Sequence, residues 1–77
     1  MKRENLSQLR ISVGTRAVVA DRLGISAIHL RKLENGDVNP SAHLMIRMCK
    51  FFKNKPELLF PDMFVENDAS VDNANFI

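Results

Sequence analysis

The stretch RAVVADRLGISAIHLRKLEN, residues 16–35, decides the fold. Its small and apolar residues fall at Val19, Ala20, Leu23, Ile25, Leu30 and Leu33, with Gly24 between two helical segments. Two helices that cross steeply over a turn of about three to four residues need this arrangement. Apolar side chains form the wedge between helices and core, Ala20 is small enough to permit close approach, and Gly24 is free to take the positive φ of the bend. Thr15 and Ser26 stand just before the two helices, where a hydroxyl can accept from the free N–H groups of a first turn. Asn35-Gly36 closes the second of the two.

Working outward, Leu6 and Leu9 at i, i+3 spacing mark a first helix over residues 5–12 that stops at Gly14. The next helix carries Val18, Val19 and Leu23. Beyond Asp37-Val38-Asn39-Pro40, Ser41 caps a fourth helix that runs to Phe52. There the register Met45, Met48, Cys49, Phe52 follows i, i+3, i+4, i+7, which makes Cys49 a core thiol. Pro56 suits the first turn of a short fifth helix ending near Phe60, before Pro61. No stretch alternates with period 2, so the expected fold is all-α. It is a compact five-helix domain over residues 1–60, followed by an acidic tail, residues 61–77, that is partly ordered or given to dimerisation or a partner.

The whole chain has 77 residues, 45% hydrophobic and 26% charged, which is the composition of one small globular domain. A single cysteine excludes an internal disulfide, and His29 and His43 are too far apart to make a zinc-ligand set with it, so neither metal nor cofactor is expected. His43 reads as a surface residue. There is no paired acid/base constellation and no phosphate-cradling glycine loop, hence no expected enzyme activity. No apolar run approaches the roughly 20 residues of a membrane helix, and the start MKREN leads into no signal-peptide core. A soluble, cytoplasmic chain without membrane contact is expected. The net charge of +2 says little, but its distribution says more. Residues 1–60 hold all 11 Lys and Arg against five acids, a balance of +6, and residues 61–77 hold four acids and no base, a balance of −4.

Residues 16–35, with LGIS followed by LENG as the most recognisable text, resemble the helix-turn-helix of the phage repressor and Cro family, also called the Xre family. The likeness extends over residues 6–60. Leu9-Arg10 resembles the leucine-arginine pair of the family's first helix, and Pro56-Glu57-Leu58-Leu59-Phe60 its closing helix. The resemblance implies that Arg10 pairs with Glu34, a structural contact that fixes geometry more than it adds stability. It makes Arg10, Thr15, Ala20, Gly24, Leu30, Leu33 and Glu34 the residues of the motif's framework.

Double-stranded DNA is the partner that the resemblance implies, with the third helix lying in the major groove. Arg16, where the family usually has glutamine, would meet a phosphate at the start of the second helix. Ser26, Ala27, Ile28, Arg31 and Lys32 face the duplex, with His29 and Asn35 towards its backbone. Arg31 and Lys32 can donate to guanine O6 and N7, while Ala27 and Ile28 offer apolar contact to thymine methyls. The alternative for Arg16, Arg31 and Lys32 is a solvated helix face, and for His29 an ordinary surface histidine. Ala27 and Ile28 replace the polar residues common in relatives, and Asp37 stands where a base is common, so phosphate contacts and DNA shape carry much of the affinity.

Leu44, Phe51 and Leu58 exceed what one core stripe uses. Either the tail covers them through Met63, Phe64, Val65, Phe76 or Ile77, or a second chain does; a homodimer through Phe51, Leu58, Met63 and Phe64 is the expected arrangement. The expected function is a sequence-specific transcriptional regulator, a repressor of phage or mobile-element type. Two alternatives stand beside it: an autoregulating antitoxin that binds its toxin through the C-terminal tail, and an interaction module that docks Ala27, Ile28 and Leu30 on another regulator.

Overall fold

The computed structural model describes residues 1–64. Five α-helices follow one another: α1, Glu4–Val13; α2, Arg16–Leu23; α3, Ala27–Asn35; α4, Ala42–Phe52; and α5, Pro56–Leu59. A 3-10 turn, Pro61–Met63, comes after α5. The described residues contain no strand. Of the expected tail, Val65, Phe76, Ile77 and the rest of residues 65–77 lie outside the described residues.

Three helices start on a hydroxyl. Thr15 accepts from the Val18 N–H at 3.3 Å, Ser26 from His29 at 3.0 Å and Ser41 from Leu44 at 3.2 Å. Each such cap is worth about 1 kcal/mol, because it satisfies a donor that the helix leaves unpaired. The same three helices end alike. Gly24, Gly36 and Lys53 take φ of 75°, 79° and 56°, and the residue beyond each donates five positions back. Those bonds are Ile25 to Ala20 at 3.0 Å, Asp37 to Lys32 at 2.9 Å and Asn54 to Cys49 at 3.2 Å. Gly36 has a second reason to be glycine, since a Cβ there would collide with the backbone carbonyl of Met1.

The core is built from Leu6 of α1, Val19, Ala20 and Leu23 of α2, Leu30 and Leu33 of α3, Leu44, Met48 and Phe52 of α4, then Leu59 and Phe60. One expectation changes, and Val18 turns outward. Val18 is 46% exposed, because the arc of α2 that faces inward runs through Val19, Ala20 and Leu23, with the small residue at the close approach. The inward stripe of α4 is Leu44, Met48, Phe52, while Met45 and Cys49 are half-buried on its flank. Leu44 therefore belongs to the core. Its helix is rolled so that Arg47, three residues on, reaches across to the Leu23 carbonyl at 2.6 Å. That guanidinium sits at the C-terminal end of α2, where the helix dipole favours a cation.

The chain before α1 is also packed. The Arg3 N–H donates to the Glu34 carbonyl at 2.7 Å, and the Arg3 side chain is fully buried. Its guanidinium lies 5.0 Å from the centroid of the Phe60 ring and makes an ion pair with Asp62 at 2.8 Å. Asp62 thus crosses the expected boundary after Phe60 and joins the turn that follows α5 to the body.

Lys53 is the only non-glycine residue at positive φ among the described residues. The left-handed conformation costs a side-chain-bearing residue about 1–2 kcal/mol, offset in part by the extra entropy that glycine loses on folding. Lys53→Gly is expected to raise stability by about 0.5–1 kcal/mol, read as a higher urea midpoint with unchanged slope.

Candidate nucleic-acid interface

The candidate interface is organised around one buried carboxylate. Glu34, in the last turn of α3, is fully buried and gathers ligands from both preceding helices. Arg10 Nε donates to Oε2 at 2.8 Å, while Arg10 Nη2 and Ser7 Oγ each donate to Oε1 at 3.0 Å. Arg16 adds Nε and Nη2 contacts to Oε1 at 3.3 and 3.2 Å. Burial by itself would raise the pKa of Glu34. The hydrogen bonds from Arg10 and Ser7 and the charges of Arg10 and Arg16 outweigh it, so the carboxyl sits below the usual carboxylate range. Reciprocally, the hydrogen bond to Glu34 pushes Arg10 upward despite its own burial.

Two guanidiniums on one carboxylate leave a surplus positive charge. Arg16 carries it, since its contacts are the longest and its side chain is 37% exposed, against 11% for Arg10. Arg16, expected to meet a phosphate, also shares in holding Glu34 from the first residue of α2.

The outer face of α3 follows from the inner one. Leu30, Leu33 and Glu34 point inward, which turns Ala27, Ile28, Arg31 and Lys32 to the surface. All four are exposed, Ile28 to 62%. Ser26 is exposed and its oxygen accepts from the His29 N–H, while the His29 and Asn35 side chains are half-buried. The face thus pairs two cations with two apolar residues, on a helix pinned at its start by a cap and at its end by Glu34. Asp37 is exposed in the loop that follows.

The apolar candidates lie elsewhere. Leu58, Met63 and Phe64 are 48%, 38% and 43% exposed. Phe51 is half-buried and meets Phe52 edge-on at 5.0 Å between ring centroids. The Cys49 thiol is pushed up by burial and by the nearby charge of Glu57, which keeps it protonated at neutral pH.

Sequence reasoning missed Arg3, Ser7, Arg47 and Asp62. Ser7 had a signal: it lies three residues before Arg10, on the same face of α1. Arg47 had a weaker one, as a base three residues after Leu44. Arg3 and Asp62 had none, because a pair 59 positions apart is brought together only by the fold.

A short, capped helix presenting cations outward, crossed by a second helix over a glycine turn, defines the class of helix-turn-helix DNA-binding domains. The family model HTH_3, helix-turn-helix, matches residues 2–59, and the chain belongs to this Xre/Cro-type family. It is a DNA-binding regulator. No curated protein and no solved structure matches it. No helix of the described residues is long and apolar enough to cross a membrane.

Because the Glu34 pKa is lowered by folding, its stabilising contribution is present above the ordinary carboxylate range and is lost as pH falls through the folded-state value. Glu34→Gln is expected to cost about 3–5 kcal/mol at neutral pH, the scale for removing one member of a buried ion pair. Urea titrations between about pH 7 and 3 should show the gap between wild type and variant narrowing below about pH 4.

Proposed function

We propose that the protein is a sequence-specific transcriptional repressor that binds a pseudo-palindromic operator as a homodimer, each copy laying α3 in the major groove. The observation that carries this reading is the outer face of α3. Arg31 and Lys32 are exposed beside Ala27 and Ile28 on a helix whose far side is locked by Glu34. Exposed cations on such a helix suit guanine O6 and N7, and the apolar pair suits thymine methyls. Arg16 supplies charge at the start of α2, and Ser26, His29 and Asn35 lie at the two ends of the reading helix. One helix reads only a few base pairs. A two-fold dimer reaching half-sites about 34 Å apart supplies the specificity that one copy lacks.

Exposed Leu58, Met63 and Phe64, continuous in the chain with half-buried Phe51 through α5, support this dimer surface. Such a regulator acts where the DNA is, in the cytoplasm. An antitoxin use of the same domain differs only in what the C-terminal segment binds. A protein-docking use of α3 loses Leu30, which is fully buried in the core, and is favoured by a single observation, the 62% exposure of Ile28.

Selection of bound duplexes from a random pool at two salt concentrations tests the reading, with an enriched two-fold motif expected and no enrichment at low salt sinking it. Arg31→Ala should cost about 1–3 kcal/mol and relax preference at its base pair, whereas Lys32→Ala should also flatten the salt dependence if it meets phosphate. A docking surface would instead show weak salt dependence and sensitivity to Ile28→Asp. For the dimer, sedimentation of a chain ending after Phe64 keeps the Arg3–Asp62 pair intact. An unchanged dimer that falls to monomer on adding Leu58→Glu assigns the interface to this patch; a wild type that is monomeric both free and on its operator removes the dimer.

A further inference from the structure

Arg3, just before α1, is fully buried. All five of its guanidinium donors are used. Nε and Nη2 bond the two Asp62 carboxylate oxygens, each at 2.8 Å. Nη1 bonds the Leu33 and Val38 carbonyls at 2.8 Å, and Nη2 also bonds Asn39 Oδ1 at 2.7 Å. The Arg3 main-chain N–H takes the Glu34 carbonyl at 2.7 Å. Leu33 and Glu34 supply two of the last carbonyls of α3, groups that a helix leaves without partners of its own. Val38 and Asn39 lie in the loop after it. One residue from the start of the chain therefore closes the exit of α3 and holds the following loop, with its charge at the end of the helix that favours a cation.

Arg3 is 0% exposed, so its charge needs a counter-charge to remain in place, and Asp62 supplies it in fork-to-fork geometry. Asp62 comes from the turn after α5 and is itself 26% exposed.

We infer that Arg3, fixed by Asp62, is a positioning residue for the DNA-facing exit of α3, so that affinity for duplex DNA depends on a carboxylate that does not touch the duplex. This rests on the DNA-binding reading above. The inference has a distinctive sign. Neutralising an acid near a DNA-binding face ordinarily tightens binding, since repulsion from the phosphates is removed. Asp62→Asn removes an acid and is expected to weaken binding, because the fork on Arg3 is lost and residues 35–39 loosen. Asp37→Asn, in the same loop, is the contrasting change and is expected to tighten it.

Duplex affinity of the full chain is measured for wild type, Asp62→Asn, Asp37→Asn and Arg3→Lys, at a temperature where circular dichroism shows each fully folded. Hydrogen exchange is followed at the Gly36 and Asp37 amides, which close α3 onto Leu33 and Lys32. Asp62→Asn is expected to lose about two- to tenfold in affinity, with faster exchange at those two amides and unchanged exchange at Leu23. Arg3→Lys keeps the charge but has three donors in place of five, so it is expected to weaken binding too; should Asp62→Asn fail to fold, Arg3→Lys decides. Folded variants that bind as tightly as wild type, or an Asp62→Asn that tightens binding as Asp37→Asn does, overturn the inference while leaving the DNA-binding reading standing. A wild type that binds no duplex overturns that reading, and the inference with it.

Discussion

The carboxylate of Glu34 is where the structure is joined. It sits near the end of α3, and the groups that satisfy it come from α1 and α2, so three helices meet at one buried charge. A buried carboxylate without partners would be expelled or protonated, which makes the arrangement of the three helices conditional on those hydrogen bonds. Once Glu34 is placed, Leu30 and Leu33 must face inward, and Ala27, Ile28, Arg31 and Lys32 must face out. The orientation of the outer face of α3 is thus set from behind, by groups that do not belong to it.

A second buried charge ties the residues before α1 into the fold. Arg3 lies over Phe60 and joins the chain before α1, the loop after α3 and the turn after α5. The two charge centres adjoin through Glu34, whose side chain answers Arg10 and whose carbonyl answers the Arg3 N–H. In a domain with so small a core, a buried charge holds its place only while its partners are present, so the loss of one partner is costly.

The motif itself was legible because its constraints are local. Thr15, Ser26 and Ser41 cap helices three residues ahead of the amides they bond, and Gly24 and Gly36 end helices at positive φ, so each can be read from a few neighbouring positions. The Arg10–Glu34 pair came from family resemblance rather than spacing. What failed was rotation: on α4 the core stripe was assigned to Met45 and Cys49 rather than to Leu44. Periodicity offers nearly equivalent stripes on helices this short, and the choice between them lies with the neighbouring helix.

The sequence by itself determined the element order, the caps and the glycine bend, since these follow from backbone preferences and short-range hydrogen bonds, while the outward residues of α3 came from the family resemblance. Tertiary structure alone decided that Arg16 shares Glu34, that Arg47 closes α2, and that Arg3 finds Asp62 across 59 positions. A long charged side chain has many possible partners along a chain, and only the packed core brings one of them within hydrogen-bond reach while removing the water that would otherwise compete.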